Sequence, residues 1–153
     1  MSAERRIRIM TYNDIDAVAA IEKRLFPQPW SATIFSVQLQ REDGIYLVCE
    51  IAGEIVGYLI ADIFVDVWHI MNIAVDELHR RKNIASELLE SYFSITEQEP
   101  HRGHTLEVRV SNEAAIDLYR SFGFISSGVR PNYYSDNSED ALIMWRDWEG
   151  DSA

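Results

Sequence analysis

Leu106-Glu107-Val108-Arg109-Val110-Ser111-Asn112 runs directly into Glu113-Ala114-Ala115-Ile116-Asp117-Leu118-Tyr119. The first half alternates. Leu106, Val108 and Val110 fall on one face of an extended strand, Glu107 and Arg109 on the other. After Ser111-Asn112, a pair suited to capping a helix start, a short helix is predicted over Glu113 to Phe122. Gly123 ends it in the position of a C′ glycine. A strand, a cap and a helix follow one another with almost no linker, and the rest of the chain continues in that rhythm.

Working upstream, a long helix is predicted from Asn83 to Glu97, with Ile84, Ala85, Leu88, Leu89, Tyr92 and Phe93 as its apolar stripe. Before it, Phe64 to Val75 reads as a strand. Ile45 to Ile51 and Ile55 to Ile63 read as a hairpin turning at Gly53-Glu54. Ile15, Val18, Ile21 and Leu25 recur at helical spacing behind a cap at Asn13 or Asp14. Prolines at 27 and 29 break that helix, and Ser31 caps a second one reaching about Arg41. Arg6 to Thr11, Phe124 to Val129 and Ala141 to Trp145 complete the strands. The order β-α-α-β-β-β-α-β-α-β-β predicts an α/β (α+β) fold, a single mixed sheet with helices on both faces. Residues 1–153 are expected to form one domain.

Composition bounds the function. Of 153 residues, 47% are hydrophobic and 25% charged, with a formal net charge of −11. That balance suits a folded globular domain and argues against a nucleic-acid partner, which needs a basic field. It is compatible with a cationic substrate. A single cysteine, Cys49, excludes an internal disulfide framework and a Cys-based zinc site. The four histidines, His69, His79, His101 and His104, make no pair at metal-ligand spacing, so no metal is expected. No signal peptide is expected, and the most apolar run, Ile55 to Ala61, is far short of a membrane span. A cytoplasmic protein with no membrane partner is the expectation.

Three segments carry chemistry. In Val75-Asp76-Glu77-Leu78-His79-Arg80-Arg81-Lys82-Asn83-Ile84-Ala85-Ser86 a strand ends, three adjacent cations follow, and a helix begins. This is either a solvated turn or a phosphate site at a helix N-terminus. Glu107 and Arg109 are either a solvent-facing pair or part of a site. Tyr119 shares a helical face with Ala115 and Phe122 and is either core or chemistry. Asn112 is by default a cap. Finally, Tyr133 and Tyr134 lie in a polar loop, and Phe26, Pro29 and Trp30 form an apolar kink. Each of these caps the core or binds something.

Together these segments carry a resemblance. Leu-Glu-Val-Arg-Val-Ser-Asn followed by Ala-Ala-Ile-x-Leu-Tyr, Gly-Phe, Tyr-Tyr and Glu-Asp-Ala-Leu-Ile-Met is similar to the GNAT superfamily of N-acetyltransferases. More narrowly it resembles the N-terminal protein acetyltransferases: archaeal N-α-acetyltransferases, the catalytic subunit of the eukaryotic A-type complex, and ribosomal-protein-alanine acetyltransferases. The resemblance covers Ile7 to about Met144. It implies a mixed, mostly antiparallel sheet of about seven strands, splayed between strands four and five, with about four helices.

It also implies acetyl-CoA as co-substrate and direct acetyl transfer to an α-amine, with Ser or Ala termini preferred. Glu107 is then the base and Tyr119 the acid. Backbone groups of Ile73, Ala74 and Val75 meet the thioester. The loop from Arg81 through Lys82, Asn83, Ile84, Ala85 and Ser86 holds the pyrophosphate, and Asn112 and Tyr119 contact CoA. Phe26, Pro29, Trp30, Tyr133 and Tyr134 receive the peptide. Asn83 stands where the family pattern Gln/Arg-x-x-Gly-x-Gly/Ala has its first glycine, and asparagine tolerates positive φ better than other non-glycine residues. The implied partners are protein or peptide N-termini, with ribosomal proteins and nascent chains as candidates, and the protein is a monomer or weak homodimer. The alternatives are a lysine or small-molecule acetyltransferase and a CoA-binding module without turnover.

Overall fold

The computed structural model describes residues 4–149. Its elements are β1 (Arg5–Ile9), α1 (Ile15–Leu25), α2 (Ala32–Leu39), β2 (Ile45–Ile51), β3 (Glu54–Phe64), β4 (Val67–Val75), α3 (Ile84–Thr96), β5 (Gly103–Arg109), α4 (Glu113–Ser121), β6 (Ile125–Arg130) and β7 (Ala141–Asp147). Short 3-10 turns at Tyr12–Asp14 and Glu77–His79 add to the predicted order without changing it.

The strands form one sheet in the order β1-β2-β3-β4-β5-β7-β6. β1–β2, β2–β3, β5–β7 and β6–β7 are antiparallel, and β4–β5 is parallel. A parallel pair needs a crossover, and α3 supplies it. The β4–β5 ladder pairs Val67 with Gly103, Trp68 with His104 and His69 with Thr105. β4 runs on to Val75 and β5 to Arg109.

The described residues fall into two compact units, one of residues up to 62 with 72–96, the other of residues 63–71 with 97 onward. In the first, Val18 of α1, Phe35 of α2, Val48 of β2, Tyr58 of β3 and Leu88 of α3 are fully buried. In the second, the buried side chains are Leu106 and Val108 of β5, Phe124, and Ala141 and Met144 of β7. Val110 does not extend the buried face of β5. It lies past the strand end and is 43% exposed.

Local chemistry adjusts several boundaries. The β2–β3 hairpin turns at Ala52-Gly53, one residue earlier than predicted, with both residues at positive φ (52° and 82°) and Ile51 facing Glu54. Two left-handed residues are the type I′ geometry that matches strand twist. Asp14 holds the cap position of α1 as predicted, but without a side-chain cap bond, because a 3-10 turn that Thr11 opens comes before the helix. Thr11 N–H donates to Asp14 Oδ2 at 2.8 Å, and Arg8 grips both oxygens of Asp14 at 2.8 Å each. Ser31 caps α2 as predicted, accepting from Ile34 N–H, but α2 ends at Leu39. Val65, at φ 60° and fully exposed, turns the chain between β3 and β4.

Candidate active site

In the first unit, the predicted phosphate segment follows the end of β4. Asp76 N–H donates to Val56 O at 2.8 Å, and the 3-10 turn at Glu77–His79 leads into exposed residues 80–83. Both Arg81 (φ 64°) and Asn83 (φ 62°) are left-handed. Left-handed residues in a tight turn gather backbone N–H groups into an anion-binding concavity. The Asn83 carbonyl accepts from Glu87 N–H at 3.0 Å, so α3 starts here. The N–H groups of Ile84, Ala85 and Ser86 therefore belong to a helical first turn that has no intrahelical acceptors for them. Arg5 Nη1 pins the loop by donating to Lys82 O at 2.6 Å and to Glu87 Oε1 at 2.8 Å.

Gly57 on β3 makes room for this start. A Cβ there would lie 3.0 Å from Ala74 O and 3.2 Å from Ile84 Cγ2. Sequence reading did not single it out, since only the packed neighbours reveal the close approach.

The apolar kink is also in this unit. Phe26 and Trp30 are half-buried and Pro29 exposed. Trp30 stacks at a tilt on Phe35, with ring centroids 5.3 Å apart. A residue missed in the sequence anchors it. Glu22, only 3% exposed, accepts from Trp30 N–H at 3.0 Å, from the Tyr58 hydroxyl at 2.6 Å and from Asn72 Nδ2 at 2.5 Å. Thus one carboxylate fastens the kink to β3 and to the strand that carries Ile73–Val75. The signal was present: Glu22 sits four residues after Val18, on the apolar stripe of α1, where a charge must find partners.

In the second unit, Glu107 does not pair with Arg109. Its Oε2 lies 2.6 Å from His69 Nε2 and its Oε1 3.6 Å from Arg130 Nε, with the side chain 13% exposed. The His69 hydrogen bond holds the carboxyl below its ordinary range, against the opposing effect of burial. His69 is the second residue missed. It faces Thr105 across the parallel ladder, so it lies diagonally from Glu107 on the same face.

Tyr119 of α4 is buried, its ring edge-on to Phe124 at 5.8 Å. Burial raises the phenol pKa, and the neighbouring Tyr134 adds to the rise. Among the described residues its hydroxyl has no hydrogen-bond partner. Asn112 caps α4, its Oδ1 accepting from Ala115 N–H at 3.2 Å. Tyr133 and Tyr134 meet edge to face at 5.1 Å; Tyr133 is 49% exposed and Tyr134 half-buried. Burial raises the Tyr134 phenol, and Glu107 is among the charges that act on it. The second unit thus brings Glu107, Tyr119, Tyr133 and Tyr134 into one neighbourhood, with His69 added.

A second acid–histidine cluster lies in the same unit. Glu97 meets His101 at 3.2 Å and His104 at 3.3 Å, and these donor atoms all lie within 4.8 Å of one another. Arg146 also reaches Glu97, at 3.5 Å. His104 is buried and Glu97 and His101 half-buried, so the fold gathers two histidines and a carboxylate that their spacing in the sequence did not bring together, with a guanidinium beside them.

The acetyltransferase (GNAT) family matches residues 15–124. The chain is similar to the ribosomal protein bS18-alanine N-acetyltransferase of Escherichia coli (strain K12), 36% identical over 133 residues that cover 86% of this chain and 89% of that protein. It is also similar to an N-alpha-acetyltransferase of Sulfurisphaera tokodaii, 32% identical over 154 residues and covering 92% of each. The crystal structure of the ribosomal-protein-S18-alanine N-acetyltransferase from Escherichia coli matches 95% of each chain, with a TM-score of 0.88 and 33% identity. Fold, site segments and relatives agree: the chain belongs to the GNAT family of acetyltransferases.

Proposed function

We propose that this protein transfers the acetyl group of acetyl-CoA to the α-amino group of polypeptide N-termini. The observation that carries the reading is Glu107, a carboxylate held ionised between His69 and Arg130 on a strand of an acetyltransferase fold. Acetyl-CoA fits the first unit's own features. Its pyrophosphate would be held by residues 81–86, where two left-handed residues and a helix start present N–H groups beside exposed cations. It supplies the acetyl group as a thioester.

The residues of the chain do the rest. A peptide α-amine has a pKa near 7.7–8.0, so part of the substrate arrives as ammonium and must lose a proton before attack. Glu107 accepts that proton, directly or through one water. His69 occupies one carboxylate oxygen and fixes the direction of the other. Backbone N–H groups within Ile73–Val75 would stabilise charge on the carbonyl oxygen.

Tyr119 would face the departing sulfur. Burial makes its phenol a weaker acid than usual, and each pKa unit of mismatch costs about 1.36 kcal/mol. Tyr119 therefore acts as a hydrogen-bond donor to the developing thiolate, which takes its full proton from solvent while the nitrogen sheds its second proton to solvent as the amide forms. Asn112 has its Oδ1 engaged in the cap and keeps its Nδ2 to donate to CoA. Phe26, Pro29 and Trp30 in the first unit and Tyr133 and Tyr134 in the second supply the peptide contacts. Small first residues, Ser or Ala, are the proposed preference, and cytoplasmic ribosomal proteins or nascent chains the proposed substrates.

The test is incubation with acetyl-CoA and a library of short peptides, read by mass spectrometry. Acetylation at the first residue supports the reading. Acetylation confined to lysine side chains, or acetyl-CoA binding with no turnover, overturns it.

A further inference from the structure

Arg109 lies two residues beyond Glu107 on the same face of β5. In sequence it reads either as a solvent-facing partner of Glu107 or as part of a site. In the structure it is turned wholly to the loop of residues 131–140. Its Nη2 donates to Asp136 Oδ1 at 3.0 Å, and its Nη1 to Asn137 Oδ1 at 3.2 Å and Glu139 Oε1 at 3.3 Å. Its Cζ stands 4.0 Å over the ring of Tyr134. One guanidinium thus holds three loop side chains and one aromatic face. Arginine suits this role because its planar fork of donors can bond and stack at once.

The loop needs such a hold. It contains no helix or strand, and Asn132 and Ser138 are both left-handed, at φ 53° and 58°. Other ties run to acidic residues of the same loop. Glu139 Oε2 accepts from Ser111 N–H at 2.9 Å, and Glu139 O accepts from Tyr134 N–H at 3.1 Å. Asp140 Oδ1 accepts from Asn132 N–H at 2.9 Å. Glu139 joins the end of β5 to Tyr134 through its side chain and its carbonyl, and Arg109 closes the circuit over the ring. An isolated surface ion pair contributes about 0–1 kcal/mol. Several bonds from one rigid group to one segment act together and fix a shape.

We propose that Arg109 is a positioning residue for substrate. It sets Tyr134, and with it Tyr133, at a fixed place relative to the strand that carries Glu107, so peptide binding depends on it although it touches no reacting atom. This rests on the reading that Tyr133 and Tyr134 contact the peptide.

The test uses Arg109→Met, which keeps the aliphatic stem, and Arg109→Lys, which keeps the charge but not the fork. Peptide and acetyl-CoA are varied separately, and hydrogen exchange is followed across residues 131–140. Arg109→Met is expected to raise the peptide KM tenfold or more and leave the acetyl-CoA KM within twofold. Exchange in the loop rises, and Arg109→Lys recovers part of both effects. In a Tyr134→Leu background the Arg109→Met effect on peptide KM is expected to vanish, because the arginine acts through that ring.

Equal changes in both KM values, or a lower melting temperature with unchanged peptide KM, overturn the proposal. If Arg109→Met does not fold, Asp136→Asn and Glu139→Gln weaken the same clamp and must show the same KM split. A wild-type protein inactive on every peptide N-terminus defeats the functional reading instead. The clamp is then judged by exchange alone, and unchanged exchange in Arg109→Met defeats it too.

Discussion

Glu22 and Glu107 are the same residue type in two different situations. Glu22, in the first unit, has both oxygens engaged by neutral donors: Tyr58 and Asn72 on Oε1 and Trp30 N–H on Oε2. Glu107, in the second, has one short bond to His69 and a looser pairing with Arg130 at 3.6 Å. A carboxylate with three of its about four acceptor positions taken by fixed donors is an anchor. One with lone pairs to spare can take a proton and give it back, although the pull of His69 and Arg130 makes Glu107 a weaker base than a free carboxylate. On the proposed reading, what separates the anchor from the base is the remaining acceptor capacity, more than burial or charge.

The comparison breaks if the two residues fail in the same way. Glu107→Gln keeps the shape and removes the proton acceptor, so turnover should fall by about 10²–10⁴-fold with little change in urea midpoint. Glu22→Ala should do the reverse. It strands three donors, at about 1–3 kcal/mol for each one left unsatisfied, so denaturation should show a loss of several kcal/mol. A stable Glu22→Ala protein with poor turnover would place Glu22 in the chemistry.

Tyr119→Phe sharpens the chemical side. The hydroxyl has no partner to lose among the described residues, so melting temperature should hold. Turnover should drop about tenfold, less than the about 10²–10⁴-fold lost with a group that transfers the proton itself, because Tyr119 only donates a hydrogen bond. Wild-type turnover in Tyr119→Phe would remove it from the reaction.

Glu97 extends the comparison to a carboxylate surrounded by histidines and arginine. His104, fully buried beside it, has its pKa pushed down to about 3 by burial first and then by the charges of His101 and Arg146. Its ordinary value is 6.5. As pH falls through that window the unfolded chain takes up a proton that the folded ring refuses. The folded state is therefore favoured fully above about 6.5 and loses stability toward 3. Melting temperature measured from pH 7 to pH 4 should fall, and His104→Asn should flatten the slope. An unchanged slope would assign the acid sensitivity to other groups.

The smallest effect belongs to the proposed phosphate loop. Asn83 sits at φ 62°, where a non-glycine residue carries strain, while glycine gives back some of that gain through a freer unfolded chain. Asn83→Gly should change stability by less than about 1 kcal/mol and leave acetyl-CoA affinity equal or tighter by calorimetry. A marked loss of affinity would mean that the asparagine amide itself contacts the ligand.

Element order was legible in the sequence because each segment holds one hydrophobic period between clear stops: Ser31, Asn112 and Gly123 all act where they were read. The hairpin slipped by one because Ala52 accepts a left-handed conformation that its side chain does not advertise. Glu107 and Tyr119 were visible through family resemblance, and their partners were not. His69 meets Glu107 only through the register of a parallel ladder, and Arg109 meets Tyr134 across a loop. Such pairings depend on which strands become neighbours, which no local pattern carries. Glu22 is the intermediate case, flagged by its place on an apolar stripe but silent about what it holds.

The central claim is that Glu107 is the base, and the pH dependence of the Glu107→Gln defect tests it most directly. Turnover of wild type and variant on one Ser- or Ala-terminated peptide is compared from pH 6.5 to 9.5, across the amine pKa of about 7.7–8.0. The need for a positioned base is greatest while the amine arrives protonated, because the neutral amine has only one proton to shed as the amide forms and solvent can take it. The account predicts a deficit that is largest at the acid end and shrinks as the substrate deprotonates itself. A deficit of the same size at every pH would contradict it and leave Glu107 as a holder of water or substrate.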